Sequence, residues 1–155
     1  MVKTHALAPQ PPNAEADIQG VLAANRRFYR AFAERDVADM EKLWAKECEV
    51  RCVHPGWPAL SGREQVMRSW RELLSNPGAP GVRHQGEQVS VFGDLGWVVC
   101  EEFVAETALV VTNMFMRGGD GWRMVHHQAT PISSINAFED VSGFEGAGGL
   151  PPTLH

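Results

Sequence analysis

The sequence predicts an α+β fold in which about three N-terminal helices cover one face of a curved, largely antiparallel sheet. Two observations predict it. Apolar residues recur with helical spacing in the first half of the chain, and β-like runs separated by Gly/Asp turns fill the second half. Helices followed by a run of strands are typical of an α+β domain that buries one sheet face under its helices. A chain of 155 residues suits one such domain.

Three helices are predicted from apolar periodicity and from capping residues. The first begins near Glu15 and carries an apolar stripe that includes two polar residues, Asn25 and Tyr29. Asp36 is placed to cap a second, short helix. The sequence Ser61-Gly62-Arg63-Glu64 resembles a capping box and should open the third helix, which ends at an Asn-Pro-Gly sequence.

The remaining elements are predicted as strands. One strand covers residues 48–54 and ends at a Pro-Gly turn. Four more are expected at about residues 84–92, 97–105, 109–117 and 122–130. Gly/Asp-rich links join neighbouring runs as hairpins, so these four strands should form an antiparallel meander.

Composition divides the chain into three parts. Residues 1–13 are rich in proline and lack apolar periodicity, which predicts a flexible arm. Residues 14–132 form the predicted domain. Residues 133–155 are rich in glycine and proline, and we expect a tail that is disordered or contacts a partner subunit.

Charge and hydropathy narrow the class of partner. The formal charge of −5 and the lack of a dense Lys/Arg run argue against nucleic acid or an anionic membrane. A small molecule or another protein chain is favoured. The sequence shows neither a secretion signal nor a run long enough to span a membrane, so we expect a cytoplasmic protein.

The three cysteines should be free. Three thiols cannot all pair, and Cys48 and Cys52 on one strand would lie about 13 Å apart, beyond disulfide reach. We expect them to be reduced and buried as small apolar residues, and no metal site is predicted.

Five motifs occur in a characteristic order: FYRAFAERD at residues 28–36, VHPGW at 53–57, GRE at 62–64, TNMF at 112–115 and GWRMVHH at 121–127. With the element order, they resemble the SnoaL-like branch of the nuclear transport factor 2-like superfamily over about residues 15–132. The resemblance implies a cone with a cavity between sheet and helices, often in a homodimer formed through the convex face. That superfamily includes ketosteroid isomerases, polyketide cyclases, dehydratases, epoxide hydrolases and binding or assembly domains, so fold does not decide function.

Comparison with the ketosteroid isomerases implies candidate roles. His54, before Pro55, stands where their general-base Asp stands before a Pro, and Asn113 falls on their hydrogen-bond-donating Asp. An Asn could donate a hydrogen bond to an oxyanion while staying neutral at every pH. Their oxyanion Tyr falls on Phe28, one residue from Tyr29, which counts against isomerase chemistry.

Strand register predicts which side chains share the cavity face. A four-residue link between the last two strands puts Asn113 opposite His126 and places Gln128 on the same face. Glu102 on the preceding strand also falls on this face, and His127 on the opposite one. A single bulge would exchange the two sets.

The candidate site combines acid/base groups with apolar walls. The predicted catalytic residues are His54, Glu102, Asn113 and His126; the predicted ligand-binding residues are Tyr29, Trp57, Trp70, Phe115 and Gln128. One hypothesis is a cofactor-independent lyase or isomerase that acts on a small, largely apolar molecule. The other is a non-catalytic ligand-binding or dimeric assembly module, in which the tryptophans anchor the core and the histidines are satisfied buried groups.

Overall fold

The computed structural model describes residues 13–133, which form three helices and a six-stranded curved sheet. The helices are α1 (Ala14–Glu34), α2 (Val37–Leu43) and α3 (Arg63–Ser75); the strands are β1 (Arg51–Val53), β2 (Leu60–Ser61), β3 (Val82–Phe92), β4 (Leu95–Val104), β5 (Thr107–Gly118) and β6 (Gly121–Pro131). The predicted α+β class is confirmed. Residues 1–12 and 134–155, which hold most of the predicted arm and tail, lie outside the described residues.

The sheet is mixed, with strand order β2-β1-β6-β5-β4-β3. The predicted meander of β3 to β6 is present, and each of its pairs is antiparallel. β1 pairs with β6 in parallel, and the two-residue β2 pairs with β1. Parallel pairing brings the end of β1, and the residues that follow it, beside the middle of β6.

Of the two predicted N-terminal helix caps, one is present in the structure. Asp36 caps α2, and its side chain accepts a hydrogen bond from the Asp39 backbone N–H at 2.9 Å. The capping box predicted for α3 is wrong: the N-cap is Gly62, at φ +85°, and Ser61 belongs to β2. A glycine takes this backbone conformation without the strain that a Cβ would add.

A β-bulge between β5 and β6 changes the predicted register. Pairing follows the prediction from Arg117 opposite Trp122 to Phe115 opposite Met124, after which Met114 pairs with His126. The extra residue on β6 turns every later side chain of that strand to the other face.

The core lies between the concave sheet face and the three helices. It includes Val21 and Phe28 of α1 and Trp70 of α3, each at most 1% exposed. α1 crosses close to β4 at Gly96, where an added Cβ would overlap the Val21 side chain. A glycine at this point therefore lets the helix approach the sheet.

The cysteines are free, as predicted, although they differ in exposure. Cys52 and Cys100 are buried, but Cys48 is exposed, which corrects the expectation that all three are buried. Cys48 precedes β1 and does not belong to it, contrary to the predicted strand at residues 48–54. Within residues 13–133, the helices are too short or too polar for a membrane crossing.

Candidate functional site

Polar side chains from α1, β4, β5, β6 and the segment after β1 meet under the concave sheet face. Each is less than one-tenth exposed; they are Asn25, Tyr29, His54, Glu102, Asn113 and His127. A buried polar group costs free energy unless it finds a hydrogen-bond partner, so the partners define the site.

Glu102 is the buried carboxyl of this cluster. The Tyr29 hydroxyl donates a hydrogen bond to Glu102 Oε2 at 2.9 Å. Burial raises the pKa of Glu102 to about 7, although the hydrogen bond from Tyr29 favours the charged form. Near neutral pH, Glu102 therefore exists in both its protonated and its ionised form.

The surroundings of Tyr29 keep it protonated. Burial, with the nearby Glu102 carboxyl, raises the pKa of the Tyr29 hydroxyl far above its ordinary value. Its ring stacks on the His84 ring, with 4.0 Å between centroids, and its hydroxyl oxygen lies 3.5 Å from Cys100 Sγ. Burial also raises the pKa of Cys100, so this thiol is not a ready nucleophile at neutral pH.

A chain of hydrogen bonds fixes the protonation pattern of His127. Asn25 Nδ2 donates to the Glu87 carboxylate at 2.9 Å, because a carboxylate only accepts. Asn25 Oδ1 then accepts from Asn113 Nδ2 at 2.8 Å, which leaves Asn113 Oδ1 facing His127 Nδ1 at 2.7 Å. His127 must therefore carry its proton on Nδ1, and its Nε2 keeps a lone pair.

Hydrogen bonds also fix which ring nitrogen of His54 carries the proton. Ser69 uses its only hydroxyl proton to donate to the Val66 carbonyl at 2.7 Å, so it accepts from His54 Nε2 at 2.9 Å. The lone pair of His54 is then on Nδ1. Burial lowers the pKa of His54 to about 4, and burial with the nearby His54 lowers the pKa of His127 to about 3, so both rings are neutral at pH 7.

Aromatic rings close the space between these groups. Trp70 packs on His54 with 4.9 Å between ring centroids and on His127 with 5.6 Å, and Phe28 lies 5.0 Å from His127. Within residues 13–133, the Trp70 indole N–H has no hydrogen-bond acceptor. The aromatic rings therefore surround the two imidazoles, and the Trp70 indole is a donor left without a partner among them.

The structure brings together most of the predicted site residues. Tyr29, His54, Trp70, Glu102 and Asn113 meet in the cluster. Glu102 shares its sheet face with Asn113 as predicted, although its partner across the β4–β5 pair is Leu109. Phe115 is fully buried on the same face, and Trp57 packs on His54 while 42% exposed.

Two predicted residues lie elsewhere. Because of the bulge, Asn113 pairs with His127, while His126 and Gln128 point to the opposite face and contact each other at 3.3 Å. The predicted pairing of Asn113 with His126 is wrong. His127 takes that position, and the sequence offered only its adjacency to His126 as a signal.

Three further residues were missed as functional groups: Ser69, His84 and Glu87. The apolar stripe of the first helix points to Asn25, but its hydrogen-bond partner Glu87 lies 62 residues away on a different element, so the sequence gives no sign of the pair.

Within the described part of the chain, no group of three or more His, Cys, Asp or Glu residues is placed to hold a metal ion.

Solved structures share this fold. A proposed dehydratase of the NTF2-like family from Streptomyces avermitilis is 33% identical with a TM-score of 0.70, covering 77% of this chain and 99% of that one. A proposed calcium/calmodulin-dependent protein kinase type II association domain from Thiobacillus denitrificans is 30% identical with a TM-score of 0.65, covering 72% and 94%.

A curated relative and a family model match the same region. The F-box protein SKIP8 of Arabidopsis thaliana is 23% identical over 117 residues, which span 74% of this chain and about half (51%) of that protein. The model of the SnoaL-like domain matches residues 21–133, from α1 to the end of the described region. Since this match spans most of the chain and agrees with its helices, sheet and motifs, the protein belongs to the SnoaL-like domain family.

Proposed function

We propose that this protein binds a small, largely apolar molecule under the concave sheet face and moves a proton on it, as a cofactor-independent lyase or isomerase. The observation that carries this proposal is Glu102, a buried carboxyl whose pKa is raised to about 7 beside the Tyr29 hydroxyl. A general acid or base works best when its pKa lies near the working pH.

The roles proposed for the other groups follow from their hydrogen bonds. His54 and His127 are neutral, and each offers one lone-pair nitrogen to a substrate hydroxyl. Asn113 gives one N–H to Asn25 and retains a second that could serve a developing oxyanion. Aromatic walls such as Trp70 would contact the apolar part of the substrate. His126 faces away from this cluster and has no part in the proposed reaction.

The similarity to a proposed dehydratase supports chemistry of this class. Dehydration and isomerisation beside a carbonyl both begin by removing a proton from carbon, which a buried carboxylate can do without a metal or cofactor. The F-box relative supports the domain but not the reaction, because the chain covers only about half of that protein.

Proton transfer can be tested without knowing the natural substrate. The probe is 2-tetralone, an apolar ketone with exchangeable α-protons, incubated in D₂O at neutral pH and followed by proton NMR. We expect the native protein to speed deuterium uptake, Glu102→Gln to lose this effect, and Glu101→Gln, its exposed neighbour, to retain it. Equal rates with and without the native protein would contradict the proposal.

A non-catalytic ligand-binding or dimeric assembly module is the second candidate. The observation that favours it is that each of the six buried polar residues of the cluster already has a hydrogen-bond partner within the protein, as a structural role requires. The similarity to a proposed association domain is consistent with assembly. Under this alternative the probe binds without proton exchange, or does not bind.

We also propose that the protein is a homodimer formed through the convex sheet face. Trp97 and Met114 pair across β4 and β5 with their side chains on this face, and Val110 nearby is 42% exposed. Exposed apolar patches on a sheet are typical of subunit contacts. Light scattering should report a dimer for the native chain and a monomer for Met114→Glu. A native monomer at high concentration would refute this proposal.

Cytoplasmic localisation of the protein stays a prediction.

A further inference from the structure

We propose a second binding site, for a small organic anion, at the end of the β5–β6 hairpin. An open cavity of about 540 Å³ lies there, between the hairpin, the last turn of α2 and residues 44–48. This volume suits a small molecule. The cavity lies on different residues from the buried cluster, so this inference does not rest on the proposed reaction.

Positive side chains dominate the cavity wall. The cationic lining residues are Arg27, Lys42, Lys46, Arg117 and Arg123. The acidic ones are Glu47 and Asp120. The whole chain carries a net charge of −5, so a wall with more cations than acids is a local exception. An anion that reaches this surface would be drawn to this position.

Not all of these charges are available to a ligand. Arg27 pairs with Asp39 at 2.7 Å, and Arg117 pairs with Asp17 at 2.6 Å. These pairs hold the wall in place. In contrast, Lys42 forms no salt bridge with any of residues 13–133.

Lys46 also forms no salt bridge within the described region. Arg123 has a partner that an incoming anion can replace. Its guanidinium contacts Asp120 at 2.7 Å, but the Asp120 side chain is 78% exposed on the hairpin turn. Surface pairs of this kind contribute little, so a ligand carboxylate can take the place of Asp120 on Arg123. Among residues 13–133, three cationic groups are thereby available to one anion: Lys42, Lys46 and Arg123.

The wall also offers apolar surface. Met116, which is half-buried, lines the cavity beside the cations. The Trp44 side chain is fully buried, and the backbone beside it is held by the bond from the Ala45 N–H to the Met124 carbonyl at 2.9 Å. Arg63 also donates to the Trp44 carbonyl at 2.8 Å. The apolar surface of Met116 beside these cations favours an anion with an apolar body, such as an aryl or alkyl carboxylate, over a bare inorganic ion.

Cys48 provides a reporter inside the cavity. It lines the wall and is exposed, whereas Cys52 and Cys100 are at most 2% exposed. Iodoacetate and iodoacetamide are similar in size but differ in charge. The ratio of their alkylation rates at Cys48, measured by peptide mass spectrometry on the folded full-length chain, therefore reports the local potential.

We expect the iodoacetate/iodoacetamide ratio to be at least about threefold higher for the native chain than for Lys42→Gln/Lys46→Gln, and to fall in about 0.5 M NaCl. The matched control is Arg68→Gln/Arg83→Gln, which removes two exposed positive charges on α3 and on the edge strand β3, outside the cavity wall. It should leave the ratio unchanged. Equal ratios for the native chain and the lysine variant, or an equal fall in the control, would overturn the proposal.

Binding is tested with benzoate as the anionic probe and benzyl alcohol as its neutral counterpart. Benzoate should slow the alkylation of Cys48 by iodoacetamide in the native chain, and do so at least about tenfold less effectively in Lys42→Gln/Lys46→Gln. Benzyl alcohol should protect less. Failure of benzoate to protect Cys48, or equal protection by both compounds, would overturn the assignment of an anion site.

Discussion

Replacing Glu102 by Gln should change how the stability of this protein depends on pH. The folded state keeps the Glu102 proton up to a pKa of about 7, while an unfolded chain releases it near 4.5. The stability from this group is therefore fully present below about pH 4.5 and is lost as the pH rises through 7. Lowering the pH from 7 to 5 therefore raises the contribution of Glu102 to the free energy of unfolding by about 2 kcal/mol, at about 1.4 kcal/mol per pKa unit.

The two buried histidines act in the opposite direction. Burial lowers the pKa of His54 to about 4 and that of His127 to about 3, from an ordinary value of 6.5. Their stability is present above about pH 6.5 and is lost as the pH falls, by about 2 kcal/mol for each ring between pH 7 and 5. The native chain should therefore lose about 2 kcal/mol over this interval, and Glu102→Gln about 4.

Urea unfolding at pH 5, 6 and 7, followed by tryptophan fluorescence, measures this difference. The amide of Gln can accept the Tyr29 hydrogen bond, so the variant should fold. Glu101→Gln, its exposed neighbour on β4, is the control and should follow the native curve within about 0.5 kcal/mol. Parallel curves for the native chain and Glu102→Gln would refute a raised pKa at this carboxyl.

Three further predictions test the packing and the hydrogen-bond chain. Trp70→Ala should cost about 3 to 5 kcal/mol in urea unfolding, and a cost below about 1 would contradict the packing of α3. Gly96→Ala should cost about 1 to 3 kcal/mol because its Cβ would overlap a valine of α1, whereas Gly81→Ala, in open space, should not. Nitrogen NMR should show the His127 proton on Nδ1. Glu87→Lys cannot accept the hydrogen bond from Asn25 and should lower the population of the Nδ1–H tautomer. An Nε2–H tautomer in the native protein would contradict the hydrogen-bond chain from Glu87 to His127.

Local patterns predicted most of the fold. Helical periodicity marked α1 and α3, and the Gly/Asp links marked the hairpins, because both signals depend on residues close in sequence. The inward positions of Glu102 and Asn113 were also predictable. The observed pairing of β4 with β5 is shifted by two residues from the predicted one, and a two-residue shift leaves each side chain on the same face of the sheet.

Long-range features were not predictable from one sequence. The bulge that exchanges His126 for His127 adds one residue to β6, and no residue near it marks the place. The parallel contact of β1 with β6, and the bond between Asn25 and Glu87, join segments far apart in the chain. The candidate site depends on these contacts, so the sequence identified its residue types better than its geometry.

Glu102 also separates the two candidate functions. His54 and His127 stay neutral through the range from pH 6 to 8, so neither changes its protonation state there. Burial raises the pKa of Tyr29 and of Cys100, so both keep their protons. The pKa of Glu102, about 7, lets this carboxyl lose and regain a proton near neutral pH. Under the proposed reaction, proton transfer at neutral pH passes through Glu102, whereas under the binding alternative a ligand needs only the hydrogen-bond acceptors on the two imidazoles. A variant that abolishes exchange on 2-tetralone but still binds it would assign catalysis to this carboxyl, and an unchanged exchange rate in Glu102→Gln would exclude it.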